Sequence, residues 1–115
     1  MQNFSLIKLS LTKSLSRYKV LRYLFDIYPE DIYLTDLARN LNMDINTTRN
    51  AIVGLTKHAS INLSLKSLNL VEIKRINYFV FFKLSENGYK IANEYFNIMK
   101  NNVKVKYNQE ILIWL

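Results

Sequence analysis

From about Ser14 onward, apolar residues fall at Leu15, Tyr18, Leu21, Leu24, Phe25 and Tyr28, steps of three, three, three, one and three. That spacing draws one stripe down a helix. Pro29 ends it, because the residue before a proline is pushed out of the helical region. Ahead of it, residues 1–13 form an apolar lead, with Leu or Ile at 6, 7, 9 and 11, that suits a short helix or strand. Ile32-Tyr33-Leu34 is long enough only for a small strand or a packed connector. Thr35 is a suitable helix cap before Asp36, whose charge favours a helix N-terminus. Leu37, Ala38 and Leu41 then make the buried face of a short second helix.

Asn42-Met43-Asp44 reads as a three-residue turn, with Asn42 suited to the left-handed conformation that ends helices. Asp44 or Asn46 caps a third helix over about 46–58. Its buried stripe is Ile45, Thr48, Ile52 and Leu55, and its opposite face carries Asn46, Thr47, Arg49, Asn50 and Val53. Residues 59–66 fit a loop or a ragged helix end. A strand over 68–75, a turn at Ile76-Asn77 and a return over 78–84 make a hairpin rich in β-branched and aromatic residues. Alternation sets Phe79 and Phe81 on one face, with Tyr78, Val80 and Phe82 on the other. Ser85 caps a last helix whose inner face is Tyr89, Ala92, Tyr95, Phe96 and Met99. Val103, Tyr107, Ile111 and Trp114 prolong that stripe. The expected fold is α+β and mostly helical: a lead at 1–13, a domain at 14–99 and a C-terminal extension at 100–115.

Composition narrows the chemistry. Sixteen Lys and Arg against nine Asp and Glu leave a net charge of +7 on 115 residues, which attracts polyanions. The chain has no cysteine, one histidine (His58) and two glycines (Gly54, Gly88). Disulfides, thiolate metal sites and glycine-rich phosphate loops are thereby excluded, and an enzyme, a metal or a cofactor is not expected. The longest apolar runs, Tyr78–Phe82 and Ile111–Leu115, are far short of a membrane span. Met1–Lys8 has no basic lead before a continuous apolar core, so no secretory signal is expected. A cytoplasmic, nucleoid-associated location follows by default.

The segment Leu34-Thr35-Asp36-Leu37-Ala38-Arg39-Asn40-Leu41-Asn42-Met43, continuing to Ile52, resembles the helix-turn-helix of prokaryotic transcriptional regulators. The family pattern places an alanine at the tight crossing of the two helices, and Ala38 fills it. Lys83-Leu84-Ser85-Glu86-Asn87-Gly88 resembles the "Leu-Thr-x-x-Gly" start of the helix after the wing in MarR-, ArsR- and PadR-like proteins. Arg17 to Leu24 is similar to the opening of archaeal winged-helix regulators. Across roughly residues 14–99 the resemblance implies a winged helix-turn-helix: a three-helix core, a two-stranded wing and a C-terminal helix. It also implies a transcriptional regulator bound to double-stranded DNA. The wing is short and lacks glycine, a departure from the usual pattern.

Asn and Arg are the side chains that pair bidentately with adenine and guanine edges. Asn46, Arg49 and Asn50 are therefore the candidate base readers, with Thr47 suited to a phosphate or a thymine methyl group. Lys74 and Arg75, expected at the tip of a wing over 74–77, are candidates to meet a phosphate or enter a minor groove, and Lys13, Arg17, Arg22, Arg39, Lys57 and Lys66 are candidates for backbone contact. The apolar residues Met99, Val103, Tyr107, Ile111, Trp114 and Leu115 suggest a homodimer through the C-terminal segment, or folding back onto the domain. Two further readings stay open: a winged-helix module that docks another protein, and an architectural DNA binder without sequence preference.

Overall fold

The computed structural model describes residues 4–54 and 63–110. The lead is a helix, α1 (Phe4–Lys13), and it joins the core directly through Ile7 and Leu11, 0% and 4% exposed. Ser14 separates it from α2 (Leu15–Ile27) and caps the latter, its side chain accepting from the Arg17 backbone N–H. Val20, Leu21 and Leu24 on α2 are fully buried, whereas Leu15, expected on the same stripe, is 66% exposed at the helix start.

The two-residue strand β1 (Ile32–Tyr33) runs straight into α3 (Leu34–Leu41). No side-chain cap forms there: Tyr33 holds the cap position in an extended conformation, and Thr35 lies within the first turn. Asn42 ends α3 with φ 54° and ψ 46°, as its residue type predicts, and its backbone N–H returns to the last turn. After Asp44 comes α4 (Ile45–Val53), which is shorter than the sequence spacing predicts. Gly54 stops it at φ 79°, a conformation that a side chain makes costly. Lys57 and His58 lie outside the described residues.

β2 (Val71–Ile76) and β3 (Phe79–Leu84) form the hairpin, and β1 adds to the far edge of β3 in antiparallel register, giving the order β1-β3-β2. Ile76 pairs with Phe79, so the turn is Asn77-Tyr78, one residue later than expected. Asn77 takes φ 56° there, and Tyr78 leaves the strand. The inner face of the sheet carries Val71, Phe82 and Leu84 into the core, each 7% exposed or less.

The root of the hairpin is closed by α5 (Glu86–Glu110). Ser85 accepts from the Gly88 N–H at 2.8 Å and donates its hydroxyl to the Asn69 carbonyl at 3.0 Å. Gly88 sits so close to Leu70 that a Cβ built on it would lie 2.1 Å from the Leu70 carbonyl oxygen. That contact gives the "Leu-Ser-x-x-Gly" motif its physical reason. Beyond it, Tyr89 of α5 stacks on Phe25 of α2 and on Tyr28, the residue that caps α2, with centroids 5.2 and 4.2 Å apart, and Phe96 meets Phe25 at a tilt with centroids 5.2 Å apart. Met99, expected on this inner face, is 36% exposed. The side chains of Val103 and Tyr107, with Ile111, Trp114 and Leu115, lie outside the described residues. The architecture is α+β and mostly helical: a helical core containing the α3–α4 helix-turn-helix, closed by a hairpin and a long final helix.

Candidate nucleic-acid interface

Helix α4 has one face committed to the core. Thr48, Ala51 and Ile52 are 0–5% exposed, and the Thr48 hydroxyl satisfies itself on the Asp44 carbonyl at 2.9 Å. Loop residues continue this support, since Leu65 and Lys66 donate their backbone N–H groups to the carbonyls of Ala51 and Ile52. Ile45, expected in the buried stripe, is 39% exposed because the helix begins there, outside the core contact. The residues turned away from the core are Asn46, Thr47 and Arg49, all exposed, with Asn50 half-buried beside them. The four candidate base readers are therefore together on one rigid helix face.

Two local bonds shape that face. Asp44 accepts from the N–H groups of Asn46 and Thr47 at 2.9 and 3.3 Å, so a carboxylate already occupies the helix N-terminus. An incoming phosphate would meet a negative charge there rather than free amides. The Arg49 guanidinium donates to the Asn46 side-chain oxygen three residues earlier. This pairing holds the arginine across the exposed face.

The cations expected on the nucleic-acid backbone divide into two groups. Lys13, Arg39, Lys66, Lys74 and Arg75 are exposed and accessible. Arg39 has a surface partner, Asp36 at 3.2 Å, but an exposed pair of this kind contributes little and yields easily. Arg17 is a correction. It is 8% exposed, and its Nε donates to the Ser10 carbonyl at 3.0 Å near the end of α1. Burial lowers its pKa, and its role is to join α1 to α2. Arg22 stays exposed, with 46% of its side-chain surface accessible, but it is engaged: its guanidinium lies 4.7 Å from the Phe96 ring centroid and pairs with Asp26 at 3.3 Å. A cation on an aromatic face is attracted by the ring quadrupole, which favours this orientation over a reach into solvent.

Sequence reasoning missed the hairpin tip. Lys74 and Arg75 are not at the end of the wing but pair with Phe81 and Val80, behind it. The end itself is Ile76, Asn77, Tyr78 and Phe79, with Tyr78 97% exposed. Asn77 was the available signal: asparagine tolerates the left-handed conformation, so it marks the first turn residue. Among the described residues no three His, Asp or Glu side chains gather as a metal site, and no helix is long and apolar enough to cross a membrane.

This is the winged helix-turn-helix class of fold. The EarA-like family model matches residues 7–95, and the chain belongs to that family. An uncharacterized protein of Methanocaldococcus jannaschii, MJ0905, is 33% identical over 83 residues, covering 72% of this chain and 75% of that one. Among solved structures, reduced AbfR bound to DNA superposes with a TM-score of 0.60 at 19% identity, over 94% of this chain and 76% of that one. ZitR of Lactococcus lactis gives 0.58 at 13% identity, over 92% of this chain and 73% of its own. The adhesin competence repressor AdcR of Streptococcus pyogenes gives 0.50 at 18% identity, over 84% of this chain. The chain spans 66% of that repressor's length, just under two thirds.

Proposed function

We propose that this chain binds double-stranded DNA as a homodimeric transcriptional regulator, with α4 in the major groove. The observation that carries the reading is the division of α4 itself. Thr48, Ala51 and Ile52 anchor one side in the core, and Asn46, Thr47 and Arg49 stand exposed on the other. A recognition helix needs that combination of a fixed rear face and a front of short polar and cationic groups. Arg49 reads a guanine edge and Asn46 or Asn50 an adenine, while Thr47 meets a thymine methyl group or a phosphate. Lys13, Arg39, Lys66, Lys74 and Arg75 position the protein on the phosphates without specifying sequence. The likeness in fold to AbfR, which is bound to DNA in its solved structure, supports DNA as the partner.

Dimerisation would set two α4 helices about one DNA turn apart. Apolar side chains left outside the core at the two ends of the chain support it: Leu6 and Leu9 on α1 and Ile98 and Met99 on α5 are 36–42% exposed.

The test is fluorescence anisotropy on random and selected duplexes across a salt series, with Arg49→Ala beside the wild type. The reading expects log affinity to fall steeply with log salt and Arg49→Ala to lose about 1–3 kcal/mol of discrimination for selected sites. A steep slope with no preference to lose would make the chain an architectural binder. Binding weaker than the ~10⁻⁴–10⁻⁶ M of non-specific contacts would exclude DNA as the partner.

A further inference from the structure

The hairpin ends in an apolar point that the fold does not use. Tyr78 is 97% exposed, and Ile76 and Phe79, paired across the two-residue turn, are 46% and 49% exposed. A tyrosine that far into solvent contributes nothing to the core. The tip is nevertheless held firmly: the Tyr33 ring meets Phe79 edge to face, with centroids 5.2 Å apart.

Charge follows directly behind the tip. Successive strand residues point to opposite faces, so Lys74 shares the face of Ile76 and Phe79 while its neighbour Arg75 points to the other. Both are exposed, and the run from Lys74 to Lys83 contains no acidic residue. The hairpin is therefore an apolar edge with one cation on each flank. A groove bordered by two phosphate backbones complements that arrangement.

We infer that the wing tip is an apolar wedge for the minor groove of duplex DNA. Tyr78, with Ile76 and Phe79, enters at a base step, and Lys74 and Arg75 lie against the two backbones beside it. The inference rests on the duplex-binding reading of α4 and adds a second source of specificity to it. An apolar side chain inserted between base steps partly unstacks them and kinks the duplex by about 20–90°. Pyrimidine–purine steps such as TA deform most easily. The wing would thus select a deformable step that no hydrogen bond reads.

The experiment is energy transfer between dyes at the two ends of a duplex carrying a selected site, with the full chain as wild type, Tyr78→Ala, Tyr78→Phe and Arg49→Ala. The wild-type complex should bend by at least ~20°. Tyr78→Ala should abolish the bend and weaken binding about tenfold, the change that ~1.4 kcal/mol produces, while keeping the sequence preference read by Arg49. Tyr78→Phe, which retains the ring, should still bend the DNA, and so should Arg49→Ala. Replacing a TA step with a stiff A-tract should weaken the wild type and cost Tyr78→Ala nothing further. An unchanged melting temperature for Tyr78→Ala would place the effect in the complex. A straight wild-type complex, or equal bending by Tyr78→Ala, would overturn the wedge and leave α4 recognition standing, with a protein partner then the candidate for the tip. Absence of any bound complex at low salt would instead sink the duplex reading itself.

Discussion

Helix α4 and the β2–β3 hairpin tip both offer side chains that the core does not need, but they are built from opposite materials. The exposed face of α4 is polar, held in place by a buried rear stripe, by the Asp44 cap and by the Arg49–Asn46 pair. The tip is aromatic and aliphatic, stands beyond the core and takes its shape from strand register and one left-handed asparagine. Hydrogen-bonding groups on a rigid helix suit the reading of base edges; an apolar point flanked by cations suits the reading of shape. A small basic domain can therefore distribute recognition between two projections that respond to different features of one duplex.

The sharpest break in this comparison is at the hairpin root. Gly88→Ala should destabilise the fold by about 3 kcal/mol or more, because the new methyl group meets the Leu70 backbone rather than a side chain able to turn away. Urea unfolding measures the loss. Amide exchange at Ala51 and Val80 tells whether α4 and the hairpin open as one unit or the hairpin opens first.

Asp44→Ala acts on the other partner. Loss of the cap should cost about 1 kcal/mol of stability, read from thermal unfolding. Non-specific DNA affinity at low salt should rise, since the helix N-terminus loses a negative charge. A fall in that affinity would mean the carboxylate helps the polar face engage DNA.

Lys74→Ala is the mildest of the three. Stability should stay within about 0.5 kcal/mol, and the slope of log affinity against log salt should lessen by roughly 0.9, one phosphate contact. An unchanged slope would leave the hairpin without a backbone contact at Lys74.

Much of this arrangement was legible in one dimension. The three-and-four spacing of apolar residues marked α2, the polar front of α4 and the inner face of α5, because burial on one side of a helix imposes that period. Asn42 was readable as a helix stop, since few side chains other than asparagine tolerate a positive φ. Asp44 was one of two residues named as the cap of α4, and backbone geometry selected it. Local chemistry therefore determined the identity of the candidate base-reading face and most of the order of elements, with the lead at 1–13 and the segment at Ile32–Tyr33 each left open between two readings.

Other features depended on partners distant in sequence. Whether a cation is free depends on what folds against it. Nothing near Arg17 signals its bond to the Ser10 carbonyl, and nothing near Arg22 signals that Phe96, 74 positions later in the chain, lies beneath it. The hairpin register was likewise decided by the whole sheet. Pairing Val71 with Leu84, and β1 with β3, seats Phe82 in the core and puts Tyr78 at the tip. A slip of one residue would have reversed every face. The sequence by itself determined which side chains could recognise a nucleic acid. Tertiary packing decided which of them remain exposed to do so, because burial and ring contacts join residues that the chain keeps far apart.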